Sequence, residues 1–131
     1  MRFVLWMLLL VACASPVAPL AEVPEAGGVR RVSAAALAAY REQGQVPVLI
    51  DVRTPDEFAS GHVPGSINLP LDQLATRGAE LAAYADGPIF LICEKGGRSL
   101  AAAQTLARRG LHPVSVDGGM SAWRSGLRET E

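Results

Sequence analysis

The chain has 131 residues, half of them hydrophobic, which is enough to build the core of one domain of ordinary size. Its 12 basic and 13 acidic residues give a formal net charge of −1 and form no basic stripe, so we expect no nucleic-acid partner. Two histidines and two cysteines at scattered positions lack the spacing of metal ligands, and we expect neither a metal nor a cofactor.

Residues 1–14 have the pattern of an export signal, with Arg2 followed by the unbroken apolar run 3–12. This run is too short to span a bilayer, which takes about 20 apolar residues. Two cleavage sites fit the pattern. Residues 10–13 (LVAC) resemble a bacterial lipobox, which makes Cys13 the lipidated first residue of a membrane-tethered lipoprotein. Residues 12–14 (ACA) fit ordinary signal peptidase, which yields a soluble periplasmic protein. We favour the lipoprotein and expect an exported bacterial protein in either case.

Residues 15–28 contain three prolines and two glycines and are predicted to be a linker. Residues 29–127 form the predicted domain, and 128–131 are a C-terminal tail. Within the domain, strand patterns at 29–32, 47–52, 66–69, 89–92 and 113–116 alternate with helical patterns at 34–43, 54–60, 71–83, 99–109 and 120–125. Strands that are mostly apolar and alternate with helices predict an α/β fold. We expect a mainly parallel central sheet of about five strands with helices on both faces, and ligands beyond the carboxyl ends of the strands.

One cysteine lies at such a strand end. Cys93 follows the apolar strand 89–92 and precedes a helix, and the loop between them contains Glu94, Lys95, Gly96, Gly97, Arg98 and Ser99. The glycines allow successive backbone N–H groups to turn inward, and the helix dipole adds positive potential. Both effects favour a nucleophilic thiolate without a neighbouring histidine. We call residues 93–99 the cysteine loop and predict that it carries the chemistry.

Four segments resemble the rhodanese or sulfurtransferase domains, in the same order and with similar spacing. They are residues 51–58 (DVRTPDEF), 61–68 (GHVPGSIN), 93–99 (CEKGGRS) and 117–123 (DGGMSAW). The resemblance covers residues 29–127 and implies that Cys93 takes the outer sulfur of a donor such as thiosulfate as a persulfide. It implies that a thiol or cyanide then removes this sulfur, that the backbone N–H groups of residues 94–99 hold the persulfide, and that Lys95 or Arg98 attracts the donor.

Four residues separate Cys93 from Arg98, whereas cysteine phosphatases and related arsenate reductases place five there. The shorter loop favours a compact sulfur over a phosphoryl group, so a phosphatase is the third hypothesis. The second is a sulfur-carrier or protein-interaction module without turnover. Glu94 stands where some members of the family carry a cation or a neutral residue. Its charge can offset Lys95 and weaken the attraction of thiosulfate. We expect a monomer.

Asp51, Arg53 and Glu57 form a second constellation at the end of a predicted strand. Arg53 is a candidate for receiving the anionic substrate, but we favour an Arg53–Glu57 ion pair that stabilises the turn. Asp51 is expected to accept hydrogen bonds from the loop, and His62 to stabilise its own turn.

Overall fold

The computed structural model describes residues 17–126 and 128–131, so the predicted export signal and Cys13 lie outside the described residues. Six strands are formed: β1 (Glu25–Ala26), β2 (Val29–Ser33), β3 (Leu49–Asp51), β4 (Ile67–Asn68), β5 (Pro88–Ile92) and β6 (His112–Asp117). Five α-helices accompany them: α1 (Ala34–Glu42), α2 (Pro55–Ala59), α3 (Leu74–Arg77), α4 (Gly97–Arg108) and α5 (Gly119–Ser125). Short 3₁₀ helices cover Leu20–Glu22, Leu71–Gln73 and Gly78–Tyr84.

The strands form one sheet in the order β1-β2-β6-β5-β3-β4. Every pairing is parallel except that of β1 with β2, which is antiparallel. The predicted α/β class and mainly parallel sheet are therefore confirmed. All five predicted strands are present, and β1 is a sixth strand that the sequence did not predict.

Helices cover both faces of the sheet, as predicted. On one face, α3 and α4 contribute to a cluster that contains Ile50, Leu91, Cys93 and Leu106. On the other face, α1 and α5 contribute to a second cluster, which includes Leu37, Phe90, Met120 and Trp123. Residues 89–92 of β5 are buried on both sides, and this explains why its sequence lacks polar alternation. Within the described ranges, no helix is long and apolar enough to cross a membrane.

Helix starts follow the expected capping chemistry. The hydroxyl of Ser33 accepts the backbone N–H of Ala36 at 3.0 Å. Thr54 forms a full capping box with Glu57, and Pro55 occupies the first turn of α2. These caps determine where α1 and α2 leave the carboxyl ends of β2 and β3.

The segment 17–28 differs from its prediction as a linker, because it packs on the domain. The hydroxyl of Tyr40 donates a hydrogen bond to the carbonyl oxygen of Ala18 at 2.7 Å, and Leu20 and Val23 pack against the second cluster. The physical reason is that a few apolar side chains in a proline-rich segment cover apolar surface that the sheet edge and α1 leave open. Composition alone could not reveal this surface.

The predicted tail also contacts the domain. His62 and Glu131 exchange two backbone hydrogen bonds, of 2.9 and 2.8 Å. The indole N–H of Trp123 donates to the carbonyl oxygen of Glu129 at 2.8 Å. Residues 128–131 therefore run beside the turn that follows α2.

Candidate active site

The sheet order places Cys93 at the centre of the carboxyl edge. Strand β5 lies between β6 and β3, so the cysteine loop emerges between Asp51, at the end of β3, and Asp117, at the end of β6. The Val52 N–H donates to the Ile92 carbonyl oxygen at 3.0 Å and extends the pairing up to the loop. Parallel strands thus bring the predicted site residues to one edge, as a ligand site in this fold class requires.

The cysteine loop curls around the sulfur. Gly96 has a φ of +112°, a backbone conformation that a side chain disfavours, and its N–H donates to Cys93 Sγ at 3.0 Å. The hydroxyl oxygen of Ser99 lies 3.6 Å from the sulfur. Helix α4 begins at Gly97, directly beyond this turn. Cys93 is 1% exposed, so the sulfur lies at the bottom of a ring of hydrogen-bond donors.

These donors change the acidity of the thiol. Burial raises the pKa of Cys93, but hydrogen bonds from the backbone and hydroxyl of Ser99 and from the backbone of Gly96 and Lys95 lower it by more. The pKa of the thiol therefore lies below its ordinary value, which increases the thiolate fraction at neutral pH. The sequence prediction of a thiolate activated by its loop agrees with this geometry.

Two buried serines support the loop from below. The Ser99 hydroxyl lies 3.0 Å from that of Ser115 on β6 and 3.1 Å from the carbonyl oxygen of Gly96. Both serines are fully buried. Ser115 thus orients Ser99, and the sequence prediction missed it. Its signal was a single polar residue within the apolar strand pattern 113–116.

The cysteine loop also rests on the start of α5. The N–H groups of Met120 and Ser121 donate to the carbonyl oxygens of Cys93 and Glu94 at 2.8 and 3.0 Å. Gly119 has a φ of +51°, and a Cβ there would press on both carbonyl groups. This is a physical reason for the glycine pair in residues 117–123. It allows the helix backbone to come into direct contact with the loop.

The predicted Arg53–Glu57 pair is wrong. The Arg53 guanidinium instead binds Asp51, with Nε 3.0 Å from Oδ1 and an Nη 2.8 Å from Oδ2, and donates to the Gly61 carbonyl oxygen at 2.8 Å. Both side chains are buried, at 1% and 0% exposure. Arg53 points from the strand end into the protein, where the carboxylate of Asp51 satisfies it, so it is not placed to receive substrate. Asp51 also accepts the backbone N–H of Arg53 at 3.0 Å.

Glu57 binds Arg98 instead. The two carboxylate oxygens lie 2.6 and 2.8 Å from the two terminal nitrogens of the guanidinium. Hydrogen bonding to Arg98 lowers the pKa of Glu57 to about 2. The loop arginine predicted to attract the donor is therefore already paired with a carboxylate.

The two remaining charged residues of the loop have different environments. Glu94 binds Arg124 at 2.5 Å, accepts a hydrogen bond from the Ser121 hydroxyl at 3.3 Å and lies 3.4 Å from Arg53. These contacts, the one with Arg124 foremost, lower the pKa of Glu94. Lys95 is exposed and forms no ion pair within residues 17–126 and 128–131. The charge of Glu94, which we expected to offset Lys95, is thus paired with Arg124, a residue of α5 that the sequence analysis did not single out.

His62 stabilises its turn, in agreement with the prediction. Its Nδ1 lies 2.9 Å from the Phe58 carbonyl oxygen, and its ring stacks on that of Phe58 with centroids 3.6 Å apart. In the part of the chain that the structure describes, no histidine forms a hydrogen bond with Cys93. No group of three potential metal ligands is found there either.

Comparison with known proteins agrees with this geometry. The sequence matches the family described as Rhodanese-like domain over residues 33–126. The Bacillus subtilis protein YqhL, which is uncharacterised, is 43% identical over 76 residues, or 57% of this chain and 59% of YqhL, so the chain spans less than two thirds of that relative. Thiosulfate sulfurtransferase GlpE of Pseudomonas syringae is 42% identical over 90 residues, which cover 66% of this chain and 79% of GlpE.

Among solved structures, a rhodanese-related protein from Thermoplasma volcanium superimposes with a TM-score of 0.70 at 32% identity. The match covers 78% of this chain and 97% of that one. The fold shared with that protein and the family match agree with the parallel sheet and the cysteine loop of this chain. The chain belongs to the rhodanese-like domain family.

Proposed function

We propose that the protein is a sulfurtransferase in which Cys93 carries a sulfane sulfur as a persulfide. The observation that carries this proposal is the donation of the Gly96 N–H to Cys93 Sγ at 3.0 Å, inside a loop with four residues between Cys93 and Arg98. This ring of donors stabilises negative charge on a sulfur without any base. Relatives named thiosulfate sulfurtransferase support the same class of reaction.

In the first half-reaction, the Cys93 thiolate attacks the outer sulfur of the donor. With thiosulfate, a new S–S bond forms at Cys93, the S–S bond of the donor breaks, and sulfite leaves with the bonding electron pair. The charge on the outer sulfur then lies where the backbone N–H groups of the loop converge. The lowered pKa of Cys93 keeps the attacking thiolate available at neutral pH.

Donor attraction falls to Lys95 in this proposal. Arg98 is bound by Glu57 through two hydrogen bonds, and Arg53 is buried against Asp51. Lys95 is exposed at the second position of the loop after Cys93, and its charge is not offset by an ion pair in the described parts of the chain. Lys95 is therefore the cation of the loop that attracts an approaching anion most strongly.

In the second half-reaction, an acceptor attacks the outer sulfur and restores the Cys93 thiolate. A cavity of about 390 Å³ lies beside the loop at Arg98. Its lining combines the apolar residues Val52, Pro55, Pro70 and Leu71 with the polar residues Thr54, Asp72 and Gln73. Its size and mixed lining suit an organic thiol better than a small inorganic anion. We therefore place a thiol ahead of cyanide as the acceptor.

A steady-state assay tests the proposal. Thiosulfate and an organic thiol are supplied together, and sulfite release is measured for the wild type and for Cys93→Ala. We expect release that depends on the thiol and is lost in the variant. A persulfide that forms but is never discharged would indicate the carrier module instead, and hydrolysis of an aryl phosphate that needs Cys93 would indicate a phosphatase.

We further propose that the chain is exported and tethered through a lipidated Cys13. The charged Arg2, the apolar run 3–12 and the LVAC sequence support this. Mass analysis of the N-terminus of the native protein tests it. A lipid-modified Cys13 is expected, an N-terminus at Ser15 would indicate ordinary cleavage, and an intact Met1 would contradict export by either route.

A further inference from the structure

Most of the positive charge around the cysteine loop is paired with carboxylates. Four cationic side chains lie on the loop or pair with its acidic neighbours: Arg53, Lys95, Arg98 and Arg124. All of them except Lys95 are bound to a carboxylate within 3.4 Å. The carboxylates therefore determine how much positive charge an approaching anion meets.

Glu94 has an unusual position among these carboxylates. It directly follows Cys93 in the sequence. Its carboxylate binds Arg124 on α5 and reaches the buried Arg53 at 3.4 Å. Its side chain is 30% exposed and that of Arg124 is 42% exposed, so the pair lies at the surface, where an incoming ion experiences its charge.

The contacts of Glu94 also make its charge dispensable for holding the loop. Its backbone carbonyl oxygen accepts the N–H of Ser121 at 3.0 Å, and that of Cys93 accepts the N–H of Met120 at 2.8 Å. These backbone bonds remain when the side chain changes. Asp51 still compensates the buried charge of Arg53 when Glu94 is neutral. A structural role alone therefore does not account for an acidic side chain beside the nucleophile.

We propose that Glu94 is a specificity-determining residue. By pairing Arg124, it withholds positive charge from the approach to Cys93 and favours sulfur donors with one negative charge over donors with two. This inference rests on the proposed sulfur transfer. Thiosulfate is a dianion, and methanethiosulfonate is a monoanion with the same kind of outer sulfur. In both cases the Cys93 thiolate gains the outer sulfur and the donor S–S bond breaks, releasing sulfite from one and methanesulfinate from the other.

Alkylation of Cys93 reports the electrostatic potential around the thiolate without any sulfur transfer. Iodoacetate is anionic and iodoacetamide is neutral, so the ratio of their rates cancels the nucleophilicity of the thiolate and reports the local potential. Glu94→Gln should raise this ratio about threefold at low ionic strength, the size expected for one unit charge acting across about 10 Å of partly aqueous surroundings. Arg124→Ala should lower the ratio by a similar factor, and the double variant should return close to the wild type.

Two controls accompany the alkylation measurements on the single and double variants. Glu80→Gln removes the same charge from a surface pair with Arg77, away from the loop, and should leave the ratio unchanged. Raising the salt concentration to about 1 M shortens the Debye length to about 3 Å and should abolish the differences. If a substitution only disturbed the loop, the rates of alkylation by both reagents would change by the same factor and their ratio would stay the same. An unchanged ratio in Glu94→Gln, a shift of the same sign in Arg124→Ala, or failure of both reagents to reach Cys93 would overturn the proposal.

Donor kinetics complete the test. In Glu94→Gln, kcat/KM for thiosulfate should rise about threefold relative to kcat/KM for methanethiosulfonate, mainly through KM. If the wild type takes sulfur from both donors but the ratio of the two kcat/KM values is unchanged in Glu94→Gln, the inference about Glu94 fails and the sulfurtransferase proposal stands. If the alkylation ratios follow the expected pattern while no donor loads Cys93, the charge assignment stands and the sulfurtransferase proposal fails.

Discussion

Gly119 is the residue at which α5 meets the cysteine loop, and alanine at this position tests how the loop is held. The added Cβ would lie 2.7 Å from the Glu94 carbonyl oxygen and closer still to that of Cys93, both below the 3.0 Å that real Cβ atoms keep. Because both obstacles are backbone atoms, no side chain can move aside to relieve the contact. Helix α5 must therefore retreat from the loop.

The cost follows from the contacts that are lost. Retreat breaks the hydrogen bonds from Met120 and Ser121 to the loop, worth about 1 kcal/mol each, and alanine at a positive φ costs about 1 kcal/mol more. We expect Gly119→Ala to lower the free energy of unfolding by about 3 kcal/mol. This is a large share of the stability of an ordinary domain but leaves a folded protein. The donors around Cys93 then lose alignment, and the pKa of the thiol rises.

Urea unfolding and the pH profile of Cys93 alkylation by iodoacetamide measure the two effects. Gly97→Ala is the matched control, since an added Cβ there meets nothing within 4 Å and its φ is not positive. It replaces glycine at the first position of α4, so we expect stability equal to the wild type or about 0.5 kcal/mol higher. Equal stabilities and equal pH profiles for the two alanine variants would refute the reasoning.

Three further predictions concern charges and hydroxyls of the site. The pKa of Glu57 is lowered to about 2, so its ion pair with Arg98 stabilises the fold above the ordinary pKa of about 4.5. That contribution is lost as the pH falls toward 2. The stability difference between wild type and Glu57→Gln, about 1 kcal/mol for a pair that is one third exposed, should vanish over this range in urea titrations. Ser99→Ala removes a hydroxyl that stabilises the thiolate, so the alkylation profile of Cys93 should move to higher pH. Arg53→Met leaves a buried carboxylate without its cation and should cost about 3–5 kcal/mol in unfolding experiments.

Each of these predictions has an outcome that contradicts it. A Glu57→Gln difference that persists at pH 2 would show that the carboxylate acts by packing rather than by charge. An unshifted profile in Ser99→Ala would leave the backbone N–H groups as the only support of the thiolate. For Arg53→Met, addition of Asp51→Leu should recover part of the loss, and a double variant no more stable than the single one would contradict a pair held by its mutual charge.

The sequence was sufficient to predict the elements that local chemistry determines. An apolar run without polar alternation predicted β5, and Thr54 followed by Pro55 and an acidic residue three positions after the threonine predicted the start of α2. The glycines and the cysteine of residues 93–99 predicted a loop with inward N–H groups, since few other conformations suit that pattern. In each case the signal lies within a few consecutive residues.

Partners distant in sequence could not be predicted in the same way. Arg53 had three carboxylates nearby in sequence, and only the inward direction of its side chain selects Asp51 over Glu57. Arg124 lies 30 residues after Glu94, on a helix whose approach depends on Gly119. Their pairing depends on tertiary geometry that no local pattern encodes. The same holds for the apolar residues of segment 17–28, whose binding surface forms only when the sheet and α1 are in place.

The most direct test of the account is the mass of the Cys93 peptide after exposure of the full chain to a sulfane donor. We predict a gain of one sulfur atom on this peptide and its removal by a subsequent thiol chase. A Cys93 peptide that takes up no sulfur from thiosulfate, methanethiosulfonate or an organic persulfide would contradict the central claim that the cysteine loop is built to carry a persulfide.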